Sequence, residues 1–302
     1  MLIIALAPRT THFLASTSLE AHMTTHAQGA VLVGVDNSPN STLAAAWAIE
    51  IARATGSPIR AVTAWTRRAP SDLQGVDDHI EEANAHTGST GAASFRAAQL
   101  AGLEVTAAQG PAAEVLLKTA NELDASLIVV GTRGLGPLAG LLLGSVSRQL
   151  LFAADRPLAL IPRESTMNPK RLTRILVGVD CSPVARRVLS WSARFCTDLD
   201  VSATIVRCAD PGCERPPGYV EHYDEEIKAE TEEALVEFRN RGVDYTLEVC
   251  NHDPRVALPE TAARDEAGLI VIGTRGAGHF SGLGGTASYL VRHSSLPITV
   301  IP

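Results

Sequence analysis

The chain contains itself twice. AVLVGVDNSPNSTLAAAWAIEIA (30–52) recurs as RILVGVDCSPVARRVLSWSARFC (174–196), so Val35-Asp36 corresponds to Val179-Asp180 and Trp47 to Trp191, both at an offset of 144. DASLIVVGTRGLG (124–136) recurs as EAGLIVIGTRGAG (266–278), and RPLALIP (156–162) recurs as LPITVIP (296–302). Three segments in the same order at nearly constant spacing are a tandem duplication, and the period is too long for a solenoid repeat. Each copy is therefore a whole domain. The boundaries expected are an N-terminal extension over 1–26, a domain over 27–162, a polar linker over 163–171 (RESTMNPKR) and a second domain over 172–302.

Within the first copy, short apolar runs alternate with helical patterns. Strands are expected at Val31–Val35, Ile59–Ala64, Leu103–Ala108, Leu127–Val130 and Leu158–Ile161. Helices are expected at Ser41–Thr55, near Gly91–Ala101, at Ala112–Leu123 and at Ser145–Ala153. That alternation implies right-handed crossovers and a parallel sheet with helices on both faces. Strands that are almost wholly apolar fit a sheet covered on both sides. The fold class is α/β: two tandem Rossmann-like, doubly wound domains of five parallel strands each. The second copy repeats the plan and adds an acidic helix around Tyr219–Arg239, with eight Asp/Glu against one Lys over 221–237, read as a solvated face.

Residues 131–147, GTRGLGPLAGLLLGSVS, hold five glycines between a strand and a helix. Ligands of open parallel sheets bind at the carboxyl ends of strands where the winding reverses. Small residues admit a ligand to backbone N–H groups, and a helix N-terminus favours an anion. Hydroxyls of Ser145 and Ser147 would add donors. A tightly packed connection without a ligand remains the other reading. Asp36 and Asp180 close the first strand of each copy, either to meet sugar, base or metal, or to form an Asx turn into the next helix. No GxxxxGK[ST] loop occurs, and no GxGxxG follows the first strand.

The order GVDxS, then a strand end, then G-x2-G-x9-G-S (Gly131, Gly134, Gly144, Ser145) resembles the universal stress protein family in its ATP-binding branch. The likeness covers both halves. It implies ATP, with accompanying Mg²⁺, in the cleft beside strands one and four. It implies that Asp36 lies near the nucleoside, that Ala64 offers backbone contacts to adenine, and that Gly131, Gly134, Gly144 and Ser145 hold the phosphates. The matching second set is Asp180, Gly273, Gly276, Gly285 and Thr286. There eight residues separate Gly276 from Gly285, one fewer than between Gly134 and Gly144, so this loop fits phosphate less securely. The resemblance implies a nucleotide-dependent stress-response regulator. A nucleotide-free dimerisation module and a weak ATPase are the alternatives. No Ser-His-Asp arrangement, HExxH, HxGH or SGGxDS pattern names a catalytic residue.

A net charge of −7 and the lack of basic runs argue against nucleic acid or an anionic membrane as partner. Five cysteines at irregular spacing, all in the second half, are not a disulfide framework and read as incidental thiols in a reducing cytoplasm. MLIIALA has no basic residue before it and makes a poor signal peptide; Met23 reads as the natural start, with the residues before it a disordered or misassigned extension. The final strand of each half, Leu158–Ile161 and Ile298–Ile301, is an apolar edge that needs cover. The two should cover each other in an intramolecular pseudo-dimer, and further pairing would give a homodimer.

Overall fold

The computed structural model describes residues 29–36, 38–65, 103, 105–133, 143–165, 169–180, 182–208, 231, 235–250, 252–274 and 284–302. The expected helix near 91–101, the N-terminal extension and most of the acidic segment lie outside these residues.

The first half runs β1 (Val31–Gly34), α1 (Pro39–Thr55), β2 (Ile59–Trp65), β3 (Val105–Gln109), α2 (Ala112–Glu122), β4 (Leu127–Gly131), α3 (Ser145–Ala153) and β5 (Leu158–Ile161). The second runs β6 (Arg174–Val179), α4 (Pro183–Leu199), β7 (Ser202–Cys208), α5 (Val236–Asn240), β8 (Tyr245–Cys250), α6 (Pro254–Arg264), β9 (Ile270–Gly273), α7 (Gly285–His293) and β10 (Ile298–Ile301). Helix α1 starts two residues before its expected N-terminus. Ser38 Oγ accepts from the Ser41 N–H at 3.1 Å, and Pro39 fits the first helical turn, where its missing N–H costs nothing. It ends at Gly56 with φ 66°, a left-handed cap that suits glycine. Helix α4 ends in the same way on Asp200, φ 54°.

Among the described residues ten strands form one sheet in the order β3-β2-β1-β4-β5-β10-β9-β6-β7-β8. Every pairing is parallel except β5 with β10, which run antiparallel with Ala159 opposite Thr299. The two apolar edges thus cover each other, and the halves are related by a local two-fold at that seam. One apolar layer, with Trp47, Ile51, Val188, Leu189 and Phe195, joins α1 and α4 on one face. The other, with Leu116, Leu150, Leu258 and Leu290, lies under α2, α3, α6 and α7. Alternate strand residues feed the two layers, as Val31 and Val33 against Leu32 do.

Glycine on the central strands lets the crossover helices sit close. A Cβ on Gly34 would lie 3.0 Å from Leu116 Cδ1, and one on Gly178 would lie 2.9 Å from Leu258 Cδ1. Among the described residues no helix is long and apolar enough to cross a membrane.

Candidate nucleotide site

The winding reverses between β1 and β4: the chain leaves β1 towards β2 and leaves β4 towards β5. In open parallel sheets the crevice for a ligand lies outside the strands' carboxyl ends at such a reversal. Asp36 stands exposed on the β1 side. Its Oδ1 accepts from the Ser38 N–H at 3.1 Å, and Asp180 Oδ1 accepts from Ser182 N–H at 2.9 Å. Both aspartates form the Asx turn, so half of each carboxylate already shapes the entry to its helix.

Ala64 lies on β2 beyond the end of the β1 ladder, whose last pair is Gly34 with Val62. The Val62 carbonyl accepts from Val35 N–H at 2.9 Å, on the β1 side, while the Trp65 carbonyl accepts from Gly110 on the β3 side. Peptide groups alternate along a strand, so Ala64 turns its N–H and C=O to the β1 side, where β1 has ended. Among the described residues no strand pairs with Ala64 on that side.

On the β4 side a backbone clamp defines the mouth of the glycine loop. Gly144 N–H donates to the Thr132 carbonyl at 2.7 Å, and Thr132 N–H donates to the Ile161 carbonyl at 2.9 Å. Helix α3 then begins at exposed Ser145 with Gly144 as its cap, and no side chain caps it. The N–H groups of Ser145, Val146 and Ser147 have no acceptor within the helix, as at every helix start, and the dipole adds partial positive charge. Gly134 and Gly276 lie outside the described residues.

Two of the expected phosphate contacts also have structural work within the protein. Ser147 is buried, and its hydroxyl donates to the Gly131 carbonyl at 2.8 Å, so its proton is not available to a ligand. Gly131 is glycine because Asn40 occupies the space beside it. A Cβ there would meet Asn40 Cγ at 2.8 Å and Oδ1 at 2.9 Å. Asn40 is 2% exposed; its Nδ2 donates to the Ile161 carbonyl at 2.9 Å and its Oδ1 accepts from the Arg133 N–H at 2.9 Å. It joins the start of α1 to the ends of β4 and β5. The sequence reading missed this residue, although the repeat held a hint: Asn40 aligns with Val184.

The second half keeps the clamp: Gly284 N–H donates to Thr274 carbonyl at 2.7 Å, and Thr274 N–H to Ile301 carbonyl at 2.8 Å. This sets the equivalences. Gly284, not Gly285, matches Gly144; Gly285 stands where Ser145 does, and Ala287 where Ser147 does. Nine residues separate Thr274 from Gly284, against eleven between Thr132 and Gly144, so the second loop is shorter by two residues rather than one. Gly273 closes β9 as Gly131 closes β4, while Thr286 falls one place later than expected, opposite Val146. The first helical position has lost its hydroxyl.

The universal stress protein family model matches residues 29–162 and again 171–302. The chain belongs to that family. It is 36% identical over 145 residues to a universal stress protein of Mycobacterium bovis, covering 45% of each chain. A universal stress protein of Mycobacterium tuberculosis is 28% identical over 170 residues, or 54% of this chain and 59% of that one. The chain thus spans about half the length of the curated relatives it matches. Among solved structures, a universal stress protein from Archaeoglobus fulgidus superposes with a TM-score of 0.64 over 90% of this chain and 97% of that one, at 21% identity. That likeness is one of fold.

The two universal stress protein domains also differ at the carboxyl ends of β2 and β7. Where the first has Ala64 opposite Ala108, the second has Cys208 opposite Cys250. The two sulfurs are 2.8 Å apart. Burial, the hydrogen bond with Cys250 and the Asp253 carboxylate push the Cys208 thiol well above the ordinary thiol range. Cys196, buried under α4, is pushed up to about 12 by burial alone. Among the described residues no group of three or more His, Cys, Asp or Glu could hold a metal ion.

Proposed function

We propose that this universal stress protein is an ATP-binding regulator that holds one nucleotide per chain, in the first domain. The observation that carries the reading is the clamped loop mouth at Thr132 and Gly144, which sets the start of α3, without a side-chain cap, beside the carboxyl end of β4 at the winding reversal where such sheets bind ligands. A triphosphate there would take the N–H groups of Ser145 and Val146 and the Ser145 hydroxyl, together with the Gly134 region of the loop. The sugar would meet the outer edge of Asp36, and adenine the free ladder edge at Ala64. Magnesium would arrive with the triphosphate, as is usual for this ion. In the second domain the loop lacks two residues and the serine has become Gly285, which supports the loss of the matching site at Asp180, Gly273 and Gly276.

Bound ATP stabilises whichever state it prefers by mass action, so the domain would report nucleotide as a shift in stability or association. This favours a regulator, with at most slow hydrolysis, over a dedicated enzyme. The test is to purify the protein without added nucleotide, denature it, and count released nucleotide per chain by chromatography and mass spectrometry, then titrate with ATP and Mg²⁺. One equivalent that disappears in Gly144→Val supports the reading. Two equivalents would restore the second site, and none would leave the nucleotide-free interaction module.

A further inference from the structure

We propose that the second domain carries an oxidisable dithiol, Cys208 with Cys250, at the strand ends where the first domain has Ala64 and Ala108. The two residues are register partners on adjacent parallel strands, β7 and β8. Partners in such a pair point to the same face, and neighbouring strands run about 4.8 Å apart. A disulfide spans Cα atoms roughly 4.4–6.8 Å apart, so the backbone need not move to accept one. The sulfurs already stand 2.8 Å apart and need approach only to about 2.05 Å, a small rotation about each χ1. Both thiols are half-buried at the end of the sheet.

The pairing is specific to this half. Ala64 and Ala108 occupy the equivalent places in the first domain, packed against the same apolar layer. Two alanines in one half thus stand where the other half has two cysteines, 42 residues apart in the chain. One substitution would be an incidental thiol; two that meet across a ladder make a chemical unit.

The reactant is a peroxide. Burial and its neighbours hold the proton on Cys208, so Cys250 is the attacking sulfur: its thiolate attacks one peroxide oxygen, the O–O bond breaks, and water or alcohol leaves, giving a sulfenic acid. The partner sulfur then attacks that sulfur, the S–O bond breaks, and a second water leaves with the disulfide formed. The pair loses two electrons and two protons, and the peroxide is reduced by the same two electrons. Dithiol reductants reverse the bond. The dithiol stands independently of the nucleotide reading; only the division of labour between the halves, nucleotide in one and redox in the other, rests on it.

The test treats the full native chain with hydrogen peroxide and, in parallel, with diamide. Free thiols are then alkylated, and the digest is mapped by mass spectrometry. The expected result is a peptide linked through Cys208 and Cys250, dominant over any link involving Cys181, Cys196 or Cys213, and abolished by dithiothreitol. Cys208→Ser and Cys250→Ser should each leave the remaining partner alkylatable and unlinked. If both oxidants leave Cys208 and Cys250 fully alkylated while the unfolded chain forms disulfides, the proposal is overturned. Predominant linkage to other cysteines would overturn it too. Nucleotide content measured on the same sample keeps the two readings apart: loss of bound ATP leaves the cross-link result untouched.

Discussion

Gly131 and Asn40 share one space: a Cβ on the glycine would lie 2.8 Å from the Asn40 side chain and 3.1 Å from its backbone carbonyl carbon. The glycine that opens the phosphate-loop motif is therefore required by packing within the protein, whatever ligand the loop holds. Gly131→Ala should destabilise the fold by about 1–3 kcal/mol, as overpacking of a filled site does. Gly285→Ala meets nothing within 4 Å and should change stability by no more than about 0.5 kcal/mol. Urea unfolding of the two variants side by side checks the contrast; equal effects would sink it.

Replacing Asn40 by the residue of the other half, Asn40→Val, deletes one buried and one part-buried hydrogen bond: the Arg133 N–H loses Asn40 Oδ1, while the Ile161 carbonyl keeps the Thr132 N–H. The expected loss is about 1–3 kcal/mol, since each lost hydrogen bond contributes roughly 0.5–1.5 kcal/mol. Amide exchange should rise at Arg133 and at the loop mouth before it rises in β2. An unchanged exchange rate there would show that Asn40 does not hold the loop.

Ser145 and Ser147 separate binding from structure. Ser147→Ala should cost about 1 kcal/mol through its lost bond to Gly131 and leave nucleotide stoichiometry unchanged. Ser145→Ala, at an exposed position, should leave stability alone and weaken ATP binding several-fold in a titration. The reverse pattern would exchange their roles.

Thr299 sits at the centre of the seam, fully buried, and among the described residues its hydroxyl has no hydrogen-bond partner. Thr299→Val keeps the shape and removes the unsatisfied group, so stability should rise by about 1 kcal/mol. A fall on calorimetry would mean the hydroxyl is satisfied in solution.

Asp265 gives an acid limb to the stability curve. Its carboxylate accepts from Arg264 and, at 2.7 Å, from the hydroxyl of fully buried Thr204, and these bonds lower its titration below the usual carboxylate range. A group depressed on folding stabilises above its unfolded pKa, near 4, and loses that contribution as the pH falls through its lower folded value. Asp265→Asn should reduce stability at neutral pH and flatten the decline below about pH 4. Denaturant midpoints measured across the acid range decide it.

The duplication, the strand and helix order and the need to cover two apolar edges follow from the amino-acid sequence alone, because periodicity and repeat spacing are local signals. The start of α1 at Pro39 was legible as well, had the Ser-Pro pair been weighed as a cap and first turn. The glycine run misled the alignment of the two loops. Several glycines in a row permit several matches, and only the clamp from Gly284 to Thr274 selects one. Tertiary structure alone decided three further matters. It set Asn40 against Gly131, turned Ser147 inward, and brought Cys208 to Cys250. Each joins side chains from separate strands, helices or loop ends, and such meetings depend on strand register and on the direction each Cα–Cβ bond takes after the sheet is assembled. No local pattern encodes that direction. It exists only once β5 and β10, β7 and β8, and the helices over them are in place.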